Sequence, residues 1–282
     1  MPKCSLLTLA TRHLTVPMIF TSRLALQDFQ DRDLSAIFSF MSDQQAMQFT
    51  HKAQSPEALL RRLRSFESQR SSNGFAPWVV RDRRDFKVIG WGGLCTDPDE
   101  PGWGIEVIYA FSPDKWRRGY ASELVQTASQ YAFHTCHIGE LHAFAMPANT
   151  GSLRVLEKCG FQNIGYVQSL EREHLVLKMP MASTANQEHK LMRISLEDPR
   201  QEEVIKLIEE LDAYQVPLYP AESHHGIDLD ALASANVLFA VVRDDDGQAV
   251  ACGAIVLQQH YGELKRFYTS PLQRGKGIAR TC

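Results

Sequence analysis

No run of 18 uncharged apolar residues occurs in the 282-residue chain, so it offers no transmembrane helix. The oiliest early stretch, "SLLTLATRHLTVPMIF", carries Arg12, His13 and Pro17 and lacks the apolar centre of a secretory leader. Cys4, Cys95, Cys136, Cys159, Cys252 and Cys282 stand far apart with no CxxC pair, which argues against a zinc ribbon or a disulfide framework. His134, Cys136, His137 and His142 cluster, but no matched second half completes a metal site, and none is expected. A surplus of positive charge is missing too. With a net charge of −3 the chain has no basic face of the kind that nucleic acid demands. Its most basic stretch, "LLRRLRSF" at 59–66, spaces its apolar residues as an amphipathic helix. Neither GxxxxGK[ST] nor GxGxxG is present. The absences together predict a soluble, cytoplasmic globular protein without membrane, nucleic-acid or metal partners.

What is present alternates between strand and helix patterns. "FTSRLALQDF" (20–29) reads as an opening strand, "DRDLSAIFSFM" as a helix, and Ser55-Pro56 as the entry to a helix over 57–70. "APWVVRD" (76–82), "KVIGWGGL" (87–94) and "GIEVIYAF" (104–111) predict an antiparallel meander. Ala121, Leu124, Val125, Ala128, Tyr131 and Ala132 form one helical stripe. "ELHAFAM" (140–146) and "REHLVLKM" (172–179) predict strands around a helix at 149–161 that Gly160 closes. The fold class is therefore α/β with a mixed sheet (α+β). After the small, polar stretch 181–189, a linker by composition, the pattern restarts with a strand at 190–197, a helix at 199–215 and three more strands. Domain boundaries follow at 1–180, 181–189 and 190–282.

The segment "SPDKWRRGYASELV" (112–125) joins a strand to a helix N-terminus. Such a junction exposes unpaired backbone N–H groups at the positive end of a helix dipole, a setting suited to phosphate. Gly119 lets the backbone approach an anion, Ala121 keeps the first turn open, and Arg117 and Arg118 add charge. Ser112-Pro113 precedes Gly119 by the spacing at which Ser270-Pro271 precedes Gly277, so the layout recurs 158 residues on.

Here the chain resembles the GNAT superfamily of acetyl-CoA-dependent N-acetyltransferases. Over about residues 18–180, "FTSRLALQDFQDRDL", "IEVIYAFSPDKWRRGYASELVQTASQYAF" and "NTGSLRVLEKCGF" are similar to its ribosomal-protein N-terminal acetyltransferase branch. The resemblance implies the GNAT acyl-CoA N-acyltransferase fold, acetyl-CoA as co-substrate, and a fourth and fifth strand splayed to admit the pantetheine arm. It implies a pyrophosphate loop of Trp116, Arg117, Arg118, Gly119, Tyr120 and Ala121, with Ala110, Phe111 and Asn149 as further coenzyme contacts. Trp116 stands where the superfamily pattern has Gln or Arg. The unit from about 190 resembles another GNAT subgroup through Arg274, Gly277 and Ala279. It is expected to be an incomplete, inactive second copy.

The implied reaction is transfer of acetyl to a primary amine, either a protein N-terminus or a small molecule, by direct attack in a ternary complex. Glu106, in an otherwise apolar strand, is the implied base, against the plainer reading of a solvated edge carboxylate. Ser152 or Tyr166 is the candidate donor to the thiolate. Asn149 and Ser152 also fit as ordinary helix caps, and Tyr109 and Phe111 as core and cleft wall. Trp78, Trp91 and Trp103 are expected in packing or in an acceptor wall, and Asp97, Asp99 and Glu100 in a solvated turn. A non-catalytic acyl-CoA-binding or interaction module stays open as the alternative, and so does a homo-oligomer.

Overall fold

A computed structural model describes residues 18–98, 101–169, 172–180, 192–215, 228–244, 246–259, 261–274 and 278. The expected linker at 181–189, Asp99, Glu100, Gly277 and Ala279 lie outside the described residues. Two compact units emerge, one of Ile19–Leu191 and one that contains Met192–Cys282.

In the first unit the chain runs β1 (Met18–Phe20), β2 (Leu24–Gln27), α1 (Leu34–Met41), α2 (Pro56–Ser68), α3 (Arg70–Asn73), β3 (Trp78–Asp82), β4 (Val88–Cys95) and β5 (Glu106–Phe111). It continues through α4 (Tyr120–Gln130), β6 (Glu140–Ala145), α5 (Thr150–Lys158), β7 (Gln162–Ser169) and β8 (Arg172–Pro180). The sheet order is β2-β3-β4-β5-β6-β8-β7. The meander of β2 to β5 is antiparallel, as the alternation predicts. The single expected strand over 20–29 is instead broken at 21–23, so the splaying strands are β5 and β6 rather than the fourth and fifth. β7, with its bulge beside Gly165, is an addition to the predicted elements.

Period-two alternation sorts side chains between two cores. Val107, Tyr109 and Phe111 of β5 pack with Leu124, Val125, Ala128 and Leu156 of α4 and α5. Ile108 and Ala110 pack on the opposite face with Leu59, Leu63 and Phe66 of α2. That amphipathic helix starts where Ser55 Oγ accepts from the Ala58 N–H at 3.2 Å, with Pro56 at its first position. α5 ends where Gly160 takes φ 96°.

In the second unit β9 (Met192–Leu196), β10 (Val237–Arg243), β11 (Ala249–Leu257) and β12 (Gly262–Thr269) pair antiparallel in the order β12-β11-β10-β9. α6 (Glu202–Gln215) buries Val204, Leu207, Ile208 and Leu211 against Phe239, Val241 and Cys252, and α7 (Leu229–Leu232) adds Leu232. No helix among the described residues is long and apolar enough to cross a membrane.

Candidate active site

β5 and β6 run parallel yet pair at one position only, Glu106 with His142. The His142 N–H donates to the Ile105 carbonyl at 3.0 Å; beyond that vertex the strands part. Glycines in β4 explain how β5 leans the other way. A Cβ on Gly90 would lie 2.6 Å from the Phe111 ring, and one on Gly92 would lie 2.4 Å from the Ile108 carbonyl oxygen. Without those atoms, Tyr109 and Phe111 settle onto β4. The Ser112 N–H donates to the Ile89 carbonyl, so ladder alternation turns the backbone groups of Ala110 towards β4 and those of Tyr109 and Phe111 towards the gap.

The wedge opens towards the turn at 112–119. There Arg117 (φ 59°) and Gly119 (φ 79°) both take left-handed conformations and aim successive amides outward. Among the described residues the N–H groups of Arg117, Arg118, Gly119, Tyr120 and Ala121 have no acceptor. The exposed guanidinium groups of Arg117 and Arg118 likewise have no partner among them. The Trp116 amide, by contrast, turns inward to the Pro113 carbonyl at 3.2 Å.

Trp116 also shows what its position does. Its indole N–H donates to the Phe111 carbonyl at 2.9 Å, and in the second unit Arg274 Nε donates to the Thr269 carbonyl, five residues back in each case, at 3.1 Å. The turns share further detail: Trp116 has φ −66° and ψ 159°, Arg274 φ −65° and ψ 155°. A side-chain N–H that ties the turn to its strand is the common requirement, and indole meets it as well as guanidinium.

One clamp holding this turn escapes sequence reasoning. Glu123, on the first turn of α4, accepts from Thr21 Oγ1 at 2.5 Å, Ser22 Oγ at 3.0 Å, the Arg23 N–H at 2.8 Å and Arg23 Nε at 2.7 Å. Burial raises the Glu123 pKa, but these donors outweigh it and hold the carboxyl below its ordinary value. Arg23 also donates to the Arg118 carbonyl at 2.6 Å and covers the Tyr120 ring at 4.9 Å. The break between β1 and β2 places these donors. Glu123→Ala is expected to weaken anion binding at the turn about tenfold and to destabilise the fold by about 2 kcal/mol, as calorimetry and thermal melting can check.

Tyr120 belongs to the turn through its backbone and to the core through its side chain. Its ring is buried, and its hydroxyl donates to Asp82 Oδ2 at 3.3 Å, so only its amide faces the turn. Two guanidinium bonds from Arg84 hold the Asp82 carboxyl far below the usual carboxylate range.

At the vertex Glu106 is 4 % exposed, which removes the solvated-edge reading. Burial, with Asp97 adding and Arg62 opposing, pushes its pKa up to about 8. On the other face of the sheet the Tyr109 and Ser152 hydroxyls lie 2.6 Å apart. Burial pushes the Tyr109 phenol up, outweighing the Ser152 hydrogen bond, so it keeps its proton. Asn149 Oδ1 accepts from the Ser152 N–H at 3.1 Å, an N-cap that leaves Nδ2 without a partner among the described residues. Tyr166 does not join this group. It is 62 % exposed on β7, three strands from β5, or about 14 Å away at the usual strand spacing. Trp78 and Trp91 are core, edge-on to Tyr131 and tilted on Phe66, whereas Trp103 is half-buried against Phe144.

Comparison with known proteins agrees with this geometry. An acetyltransferase (GNAT) domain model matches residues 23–162, and an acetyltransferase (GNAT) family model matches 203–282. An IAA acetyltransferase of Azospirillum brasilense is 47% identical over 89 residues, 31% of this chain and 58% of its own length. The chain thus spans little more than half of that relative. An uncharacterized N-acetyltransferase of Bacillus subtilis, YoaA, is 28% identical over 158 residues, 54% of this chain and 86% of its own. In fold, the chain is similar to an acetyltransferase from Agrobacterium tumefaciens (TM-score 0.52, 20% identity, 60% of this chain and 96% of that one). A putative GnaT-family acetyltransferase from Bordetella pertussis gives a TM-score of 0.51 at 20% identity, over 57% of this chain and 98% of that one.

Proposed function

The chain belongs to the GNAT acetyltransferase family, and from that membership we propose that its first unit transfers an acetyl group from acetyl-CoA to an amine by direct attack in a ternary complex. The observation that carries the reading is one wedge with free backbone donors at its wide end and a buried carboxyl of raised pKa at its narrow end.

The amides of 117–121, with the α4 dipole and the Arg117 and Arg118 guanidinium groups, hold the diphosphate. The pantetheine arm lies in the gap, on the backbone edge of Tyr109 and the Phe111 N–H, with Ala110 as wall and Asn149 Nδ2 as a donor. Glu106 takes the ammonium proton, directly or through one water. The neutral nitrogen then attacks the thioester carbon, the C–S bond breaks, and the electron pair leaves on sulfur. Ser152, hydrogen-bonded to Tyr109, supplies the proton to that thiolate, a modest task for a thiol of pKa about 8.5, and is restored by the second proton that the attacking nitrogen gives up as the amide forms. Of the two candidate donors, Ser152 takes this role and Tyr166, out on β7, does not.

Free-thiol release from acetyl-CoA, measured with a panel of primary amines and peptide N-termini, tests the reading. Amine-dependent release supports it. CoA binding without release on any acceptor would favour a non-catalytic acyl-CoA-binding module.

A further inference from the structure

Two buried polar side-chain atoms at the site lack a hydrogen-bond partner: Glu106 Oε1 and His142 Nδ1. They belong to the one residue pair that joins β5 to β6. Both side chains rise on the α2 face, because Leu141, Ala143 and Ala145, which alternate with His142, fill the opposite core. Gly104 (φ 79°) bounds the same space, and a Cβ there would lie 3.4 Å from His142 Nδ1. His142 Nε2 faces Glu140 Oε1 at 3.6 Å, which favours the proton on Nε2 and leaves Nδ1 an acceptor. A donor with several N–H bonds satisfies both orphaned acceptors, and an ammonium group is such a donor.

The neighbouring acids are already committed. Asp97 pairs with Arg62 at 3.3 Å and Glu140 with Lys178 at 2.5 Å, so among the described carboxylates around this space only Glu106 has no ion-pair partner in contact, Arg62 acting on it from a distance. From His142 an aromatic row follows the opening wedge. Phe144 lies 6.5 Å from His142, Trp103 stacks on Phe144 with centroids 3.9 Å apart at 30°, and His174 lies 6.0 Å beyond. Phe144 and Trp103 are half-buried, so their stack has surface left to cover.

We infer that the acceptor is a primary amine with a single positive charge on a flat apolar arm, its ammonium seated between Glu106 and His142 and its arm lying along Phe144 and Trp103. The inference rests on the transferase reading and narrows it to an aralkylamine class.

Steady-state acetylation of 2-phenylethylamine, N-methyl-2-phenylethylamine, hexylamine, spermidine and an alanyl peptide tests it on the unmodified chain. The kcat/KM for 2-phenylethylamine is expected to exceed each of the others about tenfold. His142→Phe should lower that value about tenfold, while Trp103→Ala should bring 2-phenylethylamine and hexylamine to about parity, with CoA affinity by calorimetry unchanged in both. Preference for spermidine or the peptide, or equal use of the N-methyl amine, would overturn the inference and leave acetyl transfer standing. Acetylation of none of the five, with CoA still bound, would overturn both.

Discussion

Replacing Glu106 with glutamine is expected to lower kcat by about 10²-fold or more, the usual contribution of a positioned general base, while leaving CoA affinity intact. The same change should make the protein more stable in alkali. The folded state raises the Glu106 pKa from 4.5 to about 8, so between those values the folded chain keeps a proton that the unfolded chain releases. Stability contributed by this group is therefore full below about pH 4.5 and lost as pH rises towards 8. Glutamine removes the cost of ionising a carboxyl buried beside Asp97, a gain on the order of a few kcal/mol above pH 8. Thermal melts of both proteins should coincide at low pH and separate at pH 9. For the unmodified chain, kcat/KM should rise with pH and level off near 8, because the base acts only when deprotonated; a flat profile with unchanged turnover in Glu106→Gln would remove Glu106 from the chemistry.

The second large effect is expected at Gly119. Its φ of 79° is one that a β-branched residue adopts only with strain, and a Cβ would sit 3.2 Å from Nη2 of the Arg23 guanidinium, whose Nε and Nη1 are engaged with Glu123 and the Arg118 carbonyl. Gly119→Val therefore pushes on the clamp and fills the space in front of the free amides. Calorimetry should show CoA affinity lowered about 100-fold or lost, with alanine at the same position causing a smaller deficit. Thermal melting separates this from unfolding, since the strain costs only about 1–3 kcal/mol. Undiminished CoA binding by the valine variant would place the diphosphate elsewhere.

The regular part of this architecture was legible because its signals are local. Alternation in "APWVVRD" and "GIEVIYAF", Ser55-Pro56 at a helix entry and Gly160 at a helix exit each state their structure within a few residues. The break at 21–23 was not, because its reason lies 100 residues away, where Glu123 gathers Thr21, Ser22 and Arg23. β7 was hidden by weak alternation in "QNIGYVQS" and by its bulge, and with it the distance of Tyr166 from the wedge. Glu106 was visible as a carboxylate among apolar neighbours, but its burial depends on α2 and on the β6 pairing. His142 was legible only as a member of a histidine-cysteine cluster. Its pairing with Glu106 is a parallel crossover contact that no short-range pattern encodes. Trp116 was visible as a departure from a pattern, and only the matching bond from Arg274 shows why the departure is tolerated.

The grip of the 112–121 turn on the coenzyme can be observed at the amides themselves. In a backbone NMR titration of the full chain with CoA, the Arg117, Arg118, Gly119, Tyr120 and Ala121 resonances should move downfield and saturate together, and pantetheine, which lacks the diphosphate, should leave them in place. Saturable CoA binding in which those amides stay still would contradict the account at its root.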